Sequence, residues 1–403
     1  MCRLVFGWLV SRASENQVVG MNDFSTRAGA LERATALYDL INAQAPTGER
    51  LGRLADSVAT SLLDSKLLSI LIPCRNGGLG GSRLDLFGAV EAIARADGSA
   101  GWCTSVCNAV NHAAFLGLPP EGREEVFGHG PVSCWTALLP NAIATAEVGG
   151  FRVSCTGSFG SGSSLSHWVL IAANTGAAGE GRYRAFLVPK AEVEIKEGSW
   201  DVMGLRGTAS IDYAITDRFV PARRSWEYDW TAADGSGSLP ASEIIRLNAI
   251  GLTAFASGVG QRALSELIAF ARKSKRTVAQ TAQADDNVVQ FGIGEIDGRM
   301  RAARSHLIGQ VSAMDERAAS GRVTSLQEGL EVSQACQTLA RASRDMVVFA
   351  FDYASTSVVY ARQPLQRCLR DIFAGLKHAA FTPAHLSLIG KTQLGMLSAR
   401  SPL

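Results

Sequence analysis

What this chain lacks narrows its class before any motif is read. Its 39 Lys and Arg against 37 Asp and Glu leave a formal charge of +2, so no global field is present to recruit nucleic acid or an anionic membrane. Neither partner is expected. Leu4 to Val10 is apolar and follows Arg3, but it is too short to span a bilayer and has no small-residue cleavage site. No later segment reaches the ~18 uninterrupted apolar residues of a membrane helix. GxGxxG, P-loop and HExxH patterns are all missing, which disfavours a Rossmann enzyme, a P-loop nucleotidase and a zincin. The six histidines, His112, His129, His167, His306, His378 and His385, fall into no metal-ligand spacing, so no metal is expected. Of eight scattered cysteines only Cys103 and Cys107 stand close, at a helical i, i+4 interval. Reduced, mostly buried thiols and a cytoplasmic location follow, in place of a disulfide framework.

What is present is apolar material. The chain has 403 residues, 47% of them hydrophobic and 19% charged, enough for a large core in two or three domains. Met21-Asn22-Asp23-Phe24 reads as a more natural start than Met1, and residues 1–20 are read as a disordered extension. From Thr26 to Val126 apolar residues recur at helical intervals, as in Leu51, Leu54, Ala55, Val58, Leu62 and Leu63. Between Gly128 and Tyr228 the texture changes to short alternating or apolar runs: Phe151 to Cys155, Trp168 to Ala173, and Arg184 to Pro189. These encode strands. After a linker at Ala232 to Pro240, helical periodicity returns, with helix starts predicted at Asp285-Asp286 and Thr324-Ser325. The expected fold class is α+β, mostly α, with an N-terminal helical domain at 21–127, a central β domain at 128–236 and a C-terminal helical bundle at 237–403. Runs of one element type followed by runs of another argue against an alternating βαβ sheet.

Four motifs occur along this layout. Ile72-Pro73 precedes Gly77, Gly78, Gly80 and Gly81, then Ala94, Asp97, Ser99 and Trp102. Ser161-Gly162 is followed by Trp168. Trp200 leads into Gly204-Leu205-Arg206-Gly207-Thr208-Ala209-Ser210, closed by Val220-Pro221. Arg367, Arg370 and Asp371 precede His378. Together they resemble the acyl-CoA dehydrogenase-like superfamily, specifically its flavin-dependent, two-component aromatic hydroxylase and N-oxygenase branch (group D). That resemblance implies an N-terminal helical domain, a central β-barrel-like domain and a C-terminal four-helix bundle. Two positions depart from the branch: Phe159 stands where tryptophan is usual, and Ala209 where glycine is usual. Both bear on the flavin-side wall and leave the choice between FMN and FAD open.

Acyl-CoA dehydrogenation needs a carboxylate base late in the chain, yet the corresponding stretch, Phe351 to Tyr360, holds only Asp352. Its absence moves the reading toward an oxygenase, in which reduced flavin and O2 form a C4a-hydroperoxide that survives only in a dry, correctly hydrogen-bonded pocket. The resemblance implies catalytic roles for Ser161, His378 and His112. Ser161 sits on a Gly/Ser turn able to approach flavin N5, and the alternative is a serine satisfied by its own backbone. His378 matches an active-site histidine on the helix after Arg370-Asp371, and imidazole is suited to moving a proton near neutrality. His112 matches a substrate-facing histidine, with a core histidine as the alternative. Trp102 is a candidate for the substrate cavity. Trp135, Thr136, Ser161 and Gly162 are candidates for the flavin site, and Arg276 for a flavin phosphate, the alternative being a solvated basic helix end.

The expected function is the oxygenase component of a two-component monooxygenase, hydroxylating an aromatic, phenolic or amine small molecule. It would take diffusible reduced FMN or FAD from a separate NAD(P)H:flavin reductase, since no NAD(P)H motif is present. The rivals are an acyl-CoA dehydrogenase or oxidase with tightly held FAD, and a non-catalytic oligomeric scaffold. The apolar face Ile244, Ile245, Leu247, Ile250, Leu252 and Phe255 exceeds what one bundle should need to bury, so a homotetramer is expected.

Overall fold

The computed structural model describes residues 29–128, 134–136, 142–175, 183–228, 241–273, 283–322 and 324–396, with the side chains of 134–136 and 241–242 left out. The extension at 1–20, Met21, His129, the whole 232–240 linker and Arg276 lie outside the described residues. Six helices come first: α1 (Ala30–Ala36), α2 (Tyr38–Leu51), α3 (Asp56–Asp64), α4 (Arg83–Ala96), α5 (Gly98–Gly117) and α6 (Pro120–Phe127). Eight strands follow: β1 (Cys134–Thr136), β2 (Ala142–Glu147), β3 (Gly150–Gly160), β4 (Trp168–Asn174), β5 (Tyr183–Pro189), β6 (Glu194–Lys196), β7 (Ile211–Pro221) and β8 (Ser225–Tyr228). The last group is α7 (Ala241–Lys273), α8 (Asn287–Ala319), α9 (Leu326–Tyr353), α10 (Pro364–Gly375) and α11 (Ala384–Gln393). The order is helices, sheet, helices.

Local chemistry sets several boundaries. Ser82 and Asp85 form a reciprocal capping box that starts α4, and Ser325 with Glu328 does the same for α9. Asp286 accepts from the Val288 amide at the start of α8. Asp97, in an extended conformation between α4 and α5, caps α5 through the Ala100 amide at 3.0 Å. Each satisfies an amide that the first helical turn leaves without a partner.

The strands form one sheet in the order β6-β7-β3-β2-β4-β5-β8, with β1 also pairing β4. Both β1 and β2 run parallel to β4 along one edge, β1 at its start and β2 at its end; the remaining pairs are antiparallel. Alternation divides the faces. Val169, Ile171, Phe186 and Val188 join Val153, Tyr213 and Ile215 in a core enclosed by the sheet itself. Leu170, Ala185 and Leu187 point the other way, onto Val110, Ala113 and Phe115 of α5 and Phe127 of α6.

α7 runs through the centre of the helical core and packs on α4, α5, α9 and α10. Its contacts with α5 fix their direction: Gly251 abuts Ser105, and Phe255 meets Trp102 edge to face at 5.3 Å. The two helices are therefore antiparallel. Glu91 of α4 ties this core to α8, accepting from Nε and Nη2 of Arg304 and from Ser257 and Gln261 of α7. The apolar face from which the tetramer was expected is mostly covered inside the chain: Ile250, Leu252 and Phe255 are wholly buried, and Ile244 and Leu247 nearly so. It satisfies this subunit's own core and says nothing about further copies.

Candidate active site

The N-terminal half of α5, the turn after β3, the Trp200–Ser210 loop and the end of α10 meet at Trp102. Its indole N–H donates to Ser161 Oγ at 3.1 Å, and its ring meets the His378 ring edge to face at 5.8 Å. Three residues separated by 59 and 217 positions in sequence thus share one locus. Ser161 follows directly on β3 and is half-buried, while Trp102 keeps only 7% of its surface. Gly375, which ends α10, has no room for a side chain, because a Cβ there would stand 2.5 Å from Phe255 and 3.1 Å from Trp102. The close approach brings His378 up to the indole.

His378 does not lie on a helix, as its sequence neighbourhood suggested. α10 stops at Gly375, and His378 caps a short 3-10 turn, Ala379–Phe381, its Nδ1 accepting from the Ala380 amide at 3.1 Å. Pro383 blocks any continuation, and His385 belongs to the separate helix α11. That bond leaves the proton on Nε2. Burial pushes the imidazole below its usual range, so the neutral, Nε2–H form is the resting one.

Behind Ser161 runs a chain of hydroxyls. Ser161 Oγ lies 2.6 Å from Ser210 Oγ, which lies 2.6 Å from Thr208 Oγ1, which donates to the Leu205 carbonyl at 2.8 Å. Thr208 and Ser210 are 0% and 2% exposed. The backbone closes the same junction, the Gly162 amide donating to the Thr208 carbonyl and Ser163 Oγ to that of Ala209. Among the described residues five non-glycines adopt positive φ, and three of them, Phe159, Leu205 and Ala209, flank this chain. Such conformations cost about 1–2 kcal/mol each and gather where a site over-determines the backbone. Phe159 remains 66% exposed beside Ser161, edge to face with Trp200 at 6.1 Å, and Met203 nearby is 59% exposed.

The loop is anchored from behind by acids. Asp371 of α10 accepts from the Leu205 amide at 2.6 Å, and Asp97, with Arg367 3.7 Å away, caps the helix that carries Trp102. Burial, then the charge of Asp97, pushes the Asp371 carboxyl up to about 7. Both acids are engaged in holding the backbone; neither is a free base. Asp352, the one carboxylate of the late stretch, is exposed at the end of α9.

His112 sits elsewhere. Ten residues along α5 place it about 15 Å from Trp102, and its electrostatic neighbours are Arg83 and Glu243. Burial, and next Arg83, push it down to about 4, and its Nδ1 is buried without a partner among the described residues. Trp135 and Thr136 contribute backbone in β1, in register with Val169 and Leu170; nothing further follows for their side chains. Cys103 and Cys107 are buried beside the site, Cys103 Sγ 3.8 Å from the Thr208 carbonyl, and burial pushes its thiol well above the usual value. Thr208, Ser210, Asp371 and Asp97 stand in the four motifs, which by themselves give them no role in the site. A hydroxyl pair two apart in a loop was the available signal, but its partner lies 49 residues away.

Comparison with known proteins places this arrangement. Residues 250–383 match the family described as acyl-CoA dehydrogenase, C-terminal domain. The chain is 28% identical over 393 residues to a pigment production hydroxylase of Rhodococcus erythropolis, covering 92% of this chain and 98% of that one. It is 29% identical over 380 residues to the flavin-dependent monooxygenase oxygenase subunit HsaA of Mycobacterium tuberculosis, covering 88% and 93%. Among solved structures, XiaF from Streptomyces sp., in complex with FADH2 and glycerol, superposes with a TM-score of 0.84 at 22% identity, over 93% and 96% of the two chains. Residues 250–383 thus carry the acyl-CoA dehydrogenase C-terminal domain, and the relatives that the chain resembles along most of its length include a flavin-dependent monooxygenase.

Proposed function

We propose that this chain is the oxygenase component of a two-component monooxygenase that hydroxylates an aromatic, phenolic or amine small molecule with O2 and reduced FMN or FAD. The observation that carries this reading is the Trp102 junction, where a half-buried hydroxyl and a neutral imidazole face one locus walled by apolar rings, with no described carboxylate free to act as base. The residues suit a reduced flavin ring: Ser161 offers oxygen at the edge, and Phe159, Trp200 and Met203 offer apolar surface. Ser161 and Gly162 would hold the ring edge, with the β1 backbone at Trp135 and Thr136 beside it. When bound, the reduced flavin supplies the electrons that activate O2.

In this reading Trp102 and Phe255 exclude water, and Ser161 fixes the ring. His378 presents its Nε2–H to the reacting oxygen or to the substrate's hydroxyl or amine. His112, about 15 Å along α5 from Trp102, is retained only as the candidate for a polar group at the far end of the substrate. Arg276, outside the described residues, is retained as the flavin-phosphate candidate. The HsaA relative is named an oxygenase subunit, and so the reading includes a partner NAD(P)H:flavin reductase. No described helix is long and apolar enough to cross a membrane. A homotetramer is retained on different residues, the exposed Val288, Phe291, Val359, Leu394 and Met396 of the C-terminal bundle.

The test is stopped-flow mixing of the protein–reduced flavin complex with O2, then with a panel of phenols and amines. An oxygen adduct that decays with product formation is expected. A protein that holds oxidised FAD tightly and passes electrons from an acyl-CoA to an artificial acceptor would overturn the reading.

A further inference from the structure

The hydroxyl chain behind Ser161 has a direction, and counting its protons gives it. Thr208 Oγ1 stands 2.8 Å from the Leu205 carbonyl in a fully buried position. Two oxygens that close, away from water, require a proton between them, and only Thr208 can supply it. Its single hydrogen is thereby used. The 2.6 Å contact between Thr208 and Ser210 must then be made by the Ser210 hydrogen, and the 2.6 Å contact between Ser210 and Ser161 by the Ser161 hydrogen. Ser161 also accepts from the Trp102 indole at 3.1 Å. What remains on Ser161, the half-buried end of the chain, is one lone pair and no hydrogen.

A reduced flavin carries a hydrogen on N5; an oxidised flavin carries a bare lone pair there. We infer that the Thr208–Ser210–Ser161 chain, grounded on the Leu205 carbonyl, locks Ser161 as an acceptor toward flavin N5–H, so that this site selects reduced over oxidised flavin. The inference rests on the proposed placement of a flavin ring against Ser161 and adds two positioning residues, Thr208 and Ser210, that need not touch the ring. To offer a hydrogen to oxidised flavin, the whole chain would have to reverse and leave the Thr208 oxygen facing the Leu205 carbonyl without a proton. A buried contact of that kind is costly. Selection of this sort suits an enzyme that captures reduced flavin from solution and must release the oxidised form.

The test measures dissociation constants of FMN and FAD, each oxidised in air and dithionite-reduced under anaerobic conditions, for the full-length protein. Thr208→Val keeps shape while removing the grounding proton, so the chain can reverse freely. Oxidised-flavin affinity should rise ~5-fold, the scale of one net hydrogen bond, with reduced-flavin affinity nearly unchanged. Thr208→Ser restores the grounding hydroxyl and should keep the original preference. Ser210→Ala frees the Ser161 hydrogen from the other side and should act like Thr208→Val; it carries the test if that variant does not fold. Ser161→Ala should weaken reduced flavin by a similar factor. If Ser161→Ala shifts the preference while Thr208→Val and Ser210→Ala leave it as in the original protein, the oriented chain is wrong and the flavin placement stands. If Ser161→Ala changes neither affinity, the placement itself fails and the inference with it.

Discussion

Replacing Asp371 by asparagine should make the protein more stable at pH 8, although it removes a residue that anchors the site loop. Asp371 is 3% exposed and Asp97 6%; Arg367 lies 3.7 Å from Asp97. Burial and the neighbouring carboxylate raise the Asp371 carboxyl from 3.8 to about 7, outweighing the Leu205 amide and Arg367, which act the other way. A folded-state value above the unfolded one means that the group's contribution is fully present at low pH and is lost as pH rises through about 7. A displacement of that size corresponds to at most ~4 kcal/mol of folding free energy between pH 4 and pH 8. Asparagine keeps the acceptor for the Leu205 amide and places N–H donors where the proton stands, so the variant imitates the protonated acid at every pH. Asp371→Asn should therefore match the original protein only below about pH 4, begin to exceed it by about pH 5, and exceed it by about 1–3 kcal/mol at pH 8. Asp371→Ala, which also carries no charge but strands the buried Leu205 amide, should lie about 1–3 kcal/mol below Asp371→Asn at every pH. Urea unfolding at pH 5, 6, 7 and 8 measures all three. If the original protein is equally stable at pH 6 and pH 8, and Asp371→Asn is destabilised at both, then Asp371 is ionised throughout and Arg367 neutralises it, and the reasoning fails.

Three other outcomes are expected. His378→Asn should still bind reduced flavin but lose about 100-fold or more of product formation, while His385→Ala, on a separate helix, stays near the original rate; equal losses would remove His378 from the chemistry. Because burial holds His378 neutral, the acidic limb of the rate profile should lie below the ordinary imidazole range, and a limb above it would contradict a neutral donor. Ala209→Gly relieves a residue held at φ +47° and should raise the melting temperature by about 1–2 °C, the strain released exceeding glycine's extra unfolded entropy; a fall would show that the Ala209 methyl packs productively. Light scattering at micromolar concentration should give a mass of four chains, and a monomer would mean that the exposed Phe291 and Leu394 are simply solvated.

Signals confined to one turn of chain were legible without the structure. Ser325 and Asp286 announce helices because a short polar side chain satisfies amides two or three residues on. Phe151 to Cys155 and Trp168 to Ala173 announce strands through their alternation or branched apolar content. Motif order identified Ser161, Trp102 and His378 as candidates, and the fold brings these three together. His378 was misplaced onto a helix because α10 ends where Gly375 must clear Phe255 and Trp102, a contact with residues more than a hundred positions away. The stripe from Ile244 to Phe255 declared itself apolar, but α4, α5, α9 and α10 decide what covers it. The same holds for the hydroxyl chain. Serine and threonine are common in loops, and each is ordinarily satisfied by its own backbone. Only tertiary structure sets Ser161 against Ser210 and buries Thr208 against a carbonyl, because a proton's direction depends on every neighbour along the chain.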